Sequence, residues 1–146
     1  MLATINCITK SRPISGGTTK DLVAKYLSQE TWTILGDGSQ DKPYLHVDDL
    51  ARILADLDSV FPAPGYHELN VAPDSSTRVS RIVEMIEARG GNNRKPVFGS
   101  SPHGWPGDVP TYTYDTSELS RLGIQLPSSD DAIRKSIDEE FQRHGQ

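Results

Sequence analysis

The chain contains the segment Ile34-Leu-Gly-Asp-Gly-Ser-Gln-Asp-Lys-Pro-Tyr-Leu-His-Val-Asp-Asp-Leu50. In it, a glycine turn lies between two extended stretches, just before the start of a helix. Gly36-Asp37-Gly38 predicts a turn, because glycine adopts left-handed backbone conformations that other residues avoid. Residues 32–35 predict a short strand before the turn, and residues 44–47 predict extended backbone after it. Since the turn joins two extended stretches, and not a strand and a helix, it does not fit the dinucleotide-binding fingerprint.

Helices and strands alternate on both sides of this segment. The spacing of Leu50, Ile53, Leu54 and Leu57 predicts a helix that begins at Asp48 or Asp49. The proline and glycine content of residues 92–110 predicts an irregular segment. The alternation predicts the α/β class. Further helices are predicted at residues 18–28, 75–89, 115–122 and 128–143, and further strands at residues 2–9 and 66–71.

Composition excludes several classes of protein. The 146 residues carry 15 Lys and Arg against 20 Asp and Glu, a formal charge of −5, whereas binding to nucleic acid requires a basic surface. The sequence has no apolar stretch of about 20 residues, the length that a membrane span needs. The single cysteine, Cys7, excludes an intramolecular disulfide and favours a cytoplasmic location.

Generic catalytic and ligand motifs are absent from the sequence. The four histidines are dispersed, and the closest pairing with an acid, His46 and Asp48, lacks the density of a metal site. Gly16-Gly17-Thr18-Thr19-Lys20 places its lysine after the threonines, so it is not a nucleotide-binding P-loop. No Gly-x-Ser-x-Gly nucleophile motif occurs. We therefore predict no metal site and no catalytic residue.

A family resemblance begins in the quoted segment. It resembles the extended short-chain dehydrogenases/reductases that act as NAD-dependent nucleotide-sugar epimerases and dehydratases, which have a Gly-Asp-Gly turn, a Gln, a basic residue, an aromatic residue and a Val-x-Asp helix start. Three further stretches resemble family motifs in the same order: Tyr66-His-Glu-Leu-Asn-Val71, Trp105-Pro-Gly-Asp-Val-Pro110 and Asp115-Thr-Ser-Glu-Leu-Ser-Arg-Leu-Gly123.

The resemblance implies the C-terminal, substrate-binding portion of such an enzyme, without the N-terminal Rossmann half. Family members carry a Gly-x-x-Gly-x-x-Gly turn for NAD and a catalytic Tyr-x-x-x-Lys pair. Neither occurs here, and none of the five tyrosines has a lysine four residues later. Residues 1–146 are then a single substrate-binding domain, with residues 1–17 the remnant of a Rossmann strand and loop and residues 18–146 the sugar-nucleotide lobe. No cofactor is expected in the isolated chain.

Five residues are implied to bind substrate. Lys42 matches the family's basic residue for the diphosphate and Tyr44 the aromatic beside it. Asp108 matches an acid that bonds ligand hydroxyls, and Tyr112 an aromatic of the same pocket. Trp105 stands where an arginine often lies, and could cover a sugar or base. The alternatives are a surface cation for Lys42, a core residue for Tyr44, a loop anchor for Trp105 and a turn former for Asp108.

Three functions remain open. The chain is either part of a UDP-glucose 4-epimerase-like enzyme that needs a Rossmann half, or a stand-alone module that binds a nucleotide-sugar or other small anion, or a self-associating remnant. In isolation we expect it to neither oxidise nor epimerise a sugar. Because the strand at residues 2–9 would lack its Rossmann neighbours, we expect either that it pairs with a second copy or that the chain rearranges, in both cases giving a homo-oligomer.

Overall fold

The computed structural model describes the backbone of residues 2–6, and residues 19–56, 59, 61, 65–91 and 93–146. Helices and strands alternate along them, which confirms the predicted α/β class. No helix of these residues has both the length and the apolar character needed to cross a bilayer. The elements are β1 Leu2–Asn6, α1 Thr19–Ser28, β2 Thr31–Ile34, β3 Asp41–Lys42, α2 Val47–Ala55, β4 Tyr66–Asn70, β5 Thr77–Arg78, α3 Val79–Gly90, β6 Lys95–Phe98, α4 Ser117–Arg121 and α5 Ser129–Arg143.

The described strands form three two-stranded ladders. Strands β1 and β4 pair in parallel, from Leu2 opposite Tyr66 onwards. Strands β2 and β6 also pair in parallel, whereas β3 and β5 are antiparallel. Parallel pairs need long crossovers, and the chain between β2 and β6 includes α2 and α3.

The larger core lies among α1, β2, α3 and α5. Strand β2 alternates exposed and buried residues, so that Trp32 and Ile34 face inward. The ring of Tyr26 meets that of Trp32 edge-on, with 5.6 Å between centroids, and Phe141 from α5 lies 6.0 Å from Tyr26. The other buried members are Leu22, Val23, Ile82, Val83, Met85, Ile86, Ile133 and Ile137.

A smaller core joins α2, β4 and α4 and corrects the prediction for α2. Ile53 is buried there, but Leu54 of the predicted apolar stripe is 44% exposed, because the smaller core covers only part of the helix. The helix also begins earlier than predicted. His46, and not Asp48 or Asp49, is its N-cap, and the Nδ1 of His46 accepts a hydrogen bond from the Asp48 backbone N–H at 3.2 Å.

Two further sequence predictions were wrong because they ignored pairing between distant segments. Residues 92–110 were expected to be irregular, yet β6 lies within them and pairs with β2. Its Pro96 cannot donate a hydrogen bond, which an edge strand tolerates. The helix expected from Ser75 begins instead at Val79, since Thr77 and Arg78 pair with β3.

Strand β1 has a partner within the chain. The expectation that it lacks a neighbour is wrong, since all five of its residues pair with β4. The remaining residues of the predicted strand, 7–9, lie outside the described residues, as does Cys7. Self-association through this strand stays a prediction.

Gly90 provides a test of the larger core. A Cβ at this position would lie 2.2 Å from Cε1 of the buried Tyr26 ring. We expect Gly90→Ala to lower the free energy of unfolding by about 1–3 kcal/mol, the usual effect of overfilling a core. Urea unfolding measures it. Helix propensity alone would predict that Gly90→Ala raises the free energy of unfolding, since alanine is the better helix former.

Gly91→Asn is the matched control. Gly91 ends α3 with a φ of 92°, and a Cβ there meets nothing within 4 Å. Asparagine tolerates this left-handed conformation, so the control should lose much less stability than Gly90→Ala. If Gly90→Ala is as stable as the wild type, the close approach of α3 to Tyr26 is not real.

Candidate functional site

One pocket of the described residues opens beside the glycine turn that follows β2. It contains about 480 Å³ of empty space, part of which is open solvent. Elements distant in the sequence contribute to it: α1, the end of β2, β3, α3 and the loop around residues 104–108. The lining residues are Leu22, Lys25, Ile34, Leu35, Gln40, Lys42, Tyr44, Val79, Ile82, Gly104, Trp105 and Asp108.

The glycine turn sets the direction of the segment that follows. Gly36 and Gly38 have φ values of 80° and 84°, conformations that favour glycine. Asp37 fixes the turn by accepting hydrogen bonds from the backbone and side chain of Ser39, which also lower the pKa of its carboxyl. In the extended backbone beyond the turn, alternate residues share a face. Gln40 and Lys42 are accordingly both buried and both line the pocket.

A buried ion pair lies in this pocket. The Nζ of Lys42 donates to Oδ1 of Asp108 at 2.5 Å, and the two side chains are only 8% and 1% exposed. The other carboxylate oxygen accepts a hydrogen bond from the backbone N–H of Gly104 at 3.0 Å. Since an ammonium group has three donors, Lys42 keeps donor capacity beyond its bond to Asp108.

Aromatic rings surround the ammonium group. The Nζ of Lys42 lies 4.9 Å from the centroid of the Trp105 ring and 5.9 Å from that of Tyr112. At these distances the rings attract the cation. Trp105 is 42% exposed, so its ring bounds the pocket on the solvent side.

The two tyrosines of the site are neutral hydrogen-bonding groups. Burial raises the pKa of Tyr44 well above its usual range, and Tyr112, Asp108 and Asp41 raise it further. Burial also raises the pKa of Tyr112 to about 12, with contributions from Tyr114 and Asp108. Both phenols therefore keep their protons at neutral pH and can donate hydrogen bonds.

Comparison with known proteins finds matches among solved structures. MoeE5, solved in complex with UDP-glucuronic acid and NAD, is 28% identical, with a TM-score of 0.68 over 86% of this chain and 41% of that one. A UDP-galactose 4-epimerase is 21% identical, with a TM-score of 0.69 over 97% of this chain and 45% of that one. No protein-family model matches the chain, and neither does any curated protein sequence.

A third match is TunA, an NAD-dependent NDP-hexosamine 5,6-dehydratase involved in tunicamycin biosynthesis. It is 18% identical, with a TM-score of 0.68 over 97% of this chain and 45% of that one. The chain spans less than half the length of each of these proteins.

The chain has the fold of the C-terminal portion of an extended short-chain dehydrogenase/reductase. The resemblance seen in the sequence is thereby confirmed at the level of the fold.

The structure places the predicted site residues together. Lys42, Tyr44, Trp105 and Asp108 line one pocket, and Tyr112 adjoins it through its contact with Lys42. The readings of Lys42 as a surface cation and of Asp108 as only a turn former are wrong, since the two form a buried pair. Their contacts with a ligand stay predictions.

Sequence reasoning gave no role to two residues that the pocket uses. Gln40 lies within the family motif, two residues before Lys42, and Gly104 directly precedes Trp105. Both line the pocket. Alternation along the extended segment was the available signal for Gln40. Nothing in the sequence distinguishes Gly104 from the other glycines of its loop.

A second polar cluster lies away from the pocket, among His46, Asp48 and Glu139, whose potential ligand atoms lie within 4.8 Å of one another. The Nε2 of His46 lies 3.2 Å from a Glu139 carboxylate oxygen, while Nδ1 accepts from the Asp48 backbone. The ammonium group of Lys135 binds Asp48 at 2.5 Å and lowers the pKa of its carboxyl. Both ring nitrogens of His46 therefore have partners, and the Lys135 ammonium already supplies a positive charge to Asp48. These contacts connect α2 to α5.

The described residues present no site of the kind that binds a dinucleotide. Binding of a dinucleotide relies on a strand, a glycine-rich turn and the start of a helix. In the described part of the chain, the glycine turn after β2 leads into β3 and not into a helix. No hydride-transfer step is therefore assigned to these residues.

The buried ion pair allows a direct test. Asp108→Asn keeps the shape of the side chain but leaves the Lys42 ammonium without its counter-charge. We expect a loss of about 3–5 kcal/mol in the free energy of unfolding, as found when one partner of a buried pair is removed. Denaturant unfolding measures the change, and adding Lys42→Met to this variant should recover part of it.

The control uses the exposed pair of Arg121 and Glu118 on α4. Glu118→Gln should change stability far less than Asp108→Asn, because water screens exposed pairs. Equal effects of Asp108→Asn and Glu118→Gln would show that Lys42 and Asp108 are not paired away from solvent.

Proposed function

We propose that this chain is the nucleotide-sugar-binding lobe of an NAD-dependent epimerase or dehydratase of the UDP-glucose 4-epimerase type. The observation that supports it most is the pocket in which Lys42, Asp108 and Trp105 meet, within a fold shared with an enzyme that binds UDP-glucuronic acid. The assignment of the ligand class rests on that similarity together with the residues present.

The pocket offers complementary groups to the parts of such a ligand. Lys42 contacts the diphosphate with the donors that Asp108 leaves free. Asp108 accepts hydrogen bonds from ligand hydroxyl groups, while Tyr44 and Tyr112 donate, since their raised pKa values keep both phenols protonated. The ring of Trp105 covers an apolar face of a sugar or base.

The clamp on the diphosphate is weaker than in the family pattern. An arginine forms a bidentate contact with phosphate oxygens, whereas lysine offers a single point charge. Here lysine stands at the first basic position and Trp105 at the second. Stacking on the indole ring therefore replaces one ionic contact.

The chemical step is proposed to require residues outside this lobe. When NAD is bound in such enzymes, it supplies the hydride acceptor. The 146 residues contain neither the glycine triplet nor the Tyr-x-x-x-Lys pair. We therefore propose that this lobe orients the substrate and, by itself, catalyses no oxidation or epimerisation.

The alternative function is a stand-alone module that binds a small anionic ligand without chemistry. It would use the same pocket and the same lysine. The coding sequence upstream of Met1 separates the two, since only the enzyme needs a Rossmann half joined to this lobe.

Titration calorimetry with UDP tests the binding function. Lys42→Met should weaken UDP binding about 10- to 100-fold, equivalent to losing a charged hydrogen bond of about 1.5–3 kcal/mol. Uridine, which lacks the phosphates, should be affected much less. Lys42→Met leaves the buried Asp108 carboxylate without its ion-pair partner. The double variant Lys42→Met/Asp108→Asn is therefore measured as well.

Lys95→Met is the matched control for these variants. Lys95 is exposed on β6 and does not line the pocket. It should bind UDP as the wild type does. Wild-type affinity for UDP in the double variant would rule out Lys42 as the diphosphate contact.

Catalysis by the isolated chain is tested with NAD and a panel of UDP-sugars. We expect no NADH absorbance and no new sugar product, because hydride and proton transfer lack their groups. Clear turnover by the 146-residue chain would overturn the proposal that the chemical step requires residues outside this lobe.

A further inference from the structure

Gln40 carries a buried acceptor with no partner. Its side chain is 2% exposed, and its Oε1 has no hydrogen-bond partner among the described residues. Its Nε2 donates to the backbone carbonyl of Leu35 at 3.4 Å, which distinguishes the two ends of the amide. A buried carbonyl without a donor is costly, and native proteins retain few of them.

One glycine makes room for this amide group, and a second lies beside it. A Cβ on Gly36 would lie 1.8 Å from the Gln40 Nε2, so only glycine fits against it. A Cβ on Gly104 would lie 3.6 Å from the same nitrogen and 3.3 Å from Oδ2 of Asp108. The Gln40 amide and the Asp108 carboxylate thus flank the same glycine on the pocket wall.

We propose that Gln40 determines ligand specificity by accepting a hydrogen bond from a hydroxyl group of the bound nucleotide-sugar. The inference rests on the proposed function, and it identifies which feature of the ligand the pocket recognises. Gln40 lines the pocket beside Lys42, and a hydroxyl donor would satisfy the oxygen that the protein leaves unpaired.

The chemistry excludes the diphosphate as the partner of this oxygen. An ionised diphosphate has only acceptor oxygens, and a carbonyl oxygen cannot donate to them. Hydroxyl groups occur on both the ribose and the hexose of a nucleotide-sugar. The remaining donors of a nucleotide-sugar are these hydroxyls and the N–H of the base, and we assign the partner to a hydroxyl. The experiment distinguishes the two hydroxyl sources, and an equal loss for UDP, 2′-deoxy-UDP and UDP-glucose with pyrophosphate unchanged would point to the base and contradict the assignment.

The test uses Gln40→Met, which keeps the length of the side chain and removes the amide. Calorimetry compares pyrophosphate, UDP, 2′-deoxy-UDP and UDP-glucose on the variant and the wild type. We expect the variant to bind its hydroxyl-bearing ligand about tenfold more weakly, the effect of one hydrogen bond, and pyrophosphate unchanged.

The pattern of loss identifies the hydroxyl. If the ribose is recognised, the wild type prefers UDP to 2′-deoxy-UDP and the variant does not. If the hexose is recognised, the wild type prefers UDP-glucose to UDP and the variant does not. Gln125→Met, at an exposed glutamine that does not line the pocket, should leave every affinity unchanged.

Melting of the ligand-free protein separates this role from a structural one. Gln40→Met removes the unpaired oxygen and also the long hydrogen bond from Nε2 to the Leu35 carbonyl, so the two effects oppose each other and the Tm should change little. A lower Tm with unchanged affinities would mean that Gln40 only supports the turn, and would overturn the inference. An equal loss for all four ligands, pyrophosphate included, would overturn it as well.

Nuclear magnetic resonance of the wild type keeps the inference testable if Gln40→Met does not fold. The side-chain amide resonance of Gln40 should shift on addition of UDP-glucose and not of pyrophosphate. If UDP-glucose shifts the backbone resonances of Lys42 but not the side-chain amide resonance of Gln40, the role of Gln40 is refuted while the proposed function stands. Failure of the wild type to bind UDP or UDP-glucose would instead refute the proposed function, and this inference with it.

Discussion

The pocket depends on the buried ion pair of Lys42 and Asp108. These residues are 66 positions apart, and their bond fixes the loop that contains Gly104 and Trp105 against β3. Isolating either charge would be costly, so the pair forms only when both segments are in place. The glycine turn before β3 and the return of the chain through β6 are therefore requirements of the site as well as features of the fold.

Local patterns in the sequence predicted the elements that local forces determine. The last helix is an example: Ser128 caps α5, and its hydroxyl accepts a hydrogen bond from the backbone of Asp131. Strand β6 could not be predicted in this way, because Pro96 and its exposed neighbours conceal it. Only its pairing with β2, more than 60 positions earlier, makes the segment a strand. The exposure of Leu54 likewise depends on which surface covers α2.

The site was predictable to the extent that its residues carry recognisable chemistry. Lys42, Asp108 and the aromatic residues matched motif positions, and the fold brings them to one pocket. Gln40 and Gly104 were missed for a physical reason. Gly104 matters because its backbone N–H donates to the Asp108 carboxylate, and Gln40 because one of its atoms lacks a partner. Neither property exists until the chain folds.

The balance of charge in the pocket bears on what it can recognise. Asp108 neutralises Lys42, and Lys25, the other cation in the lining, donates to the Thr33 carbonyl at 3.2 Å. A ligand that relied on its diphosphate alone would meet little unopposed positive charge. The neutral groups of the pocket are more numerous: two protonated phenols, an indole face and an amide oxygen that lacks a donor. With the proposed ligand, such a surface would discriminate by hydroxyl position and ring stacking, so selectivity for the sugar would not require strong binding of phosphate.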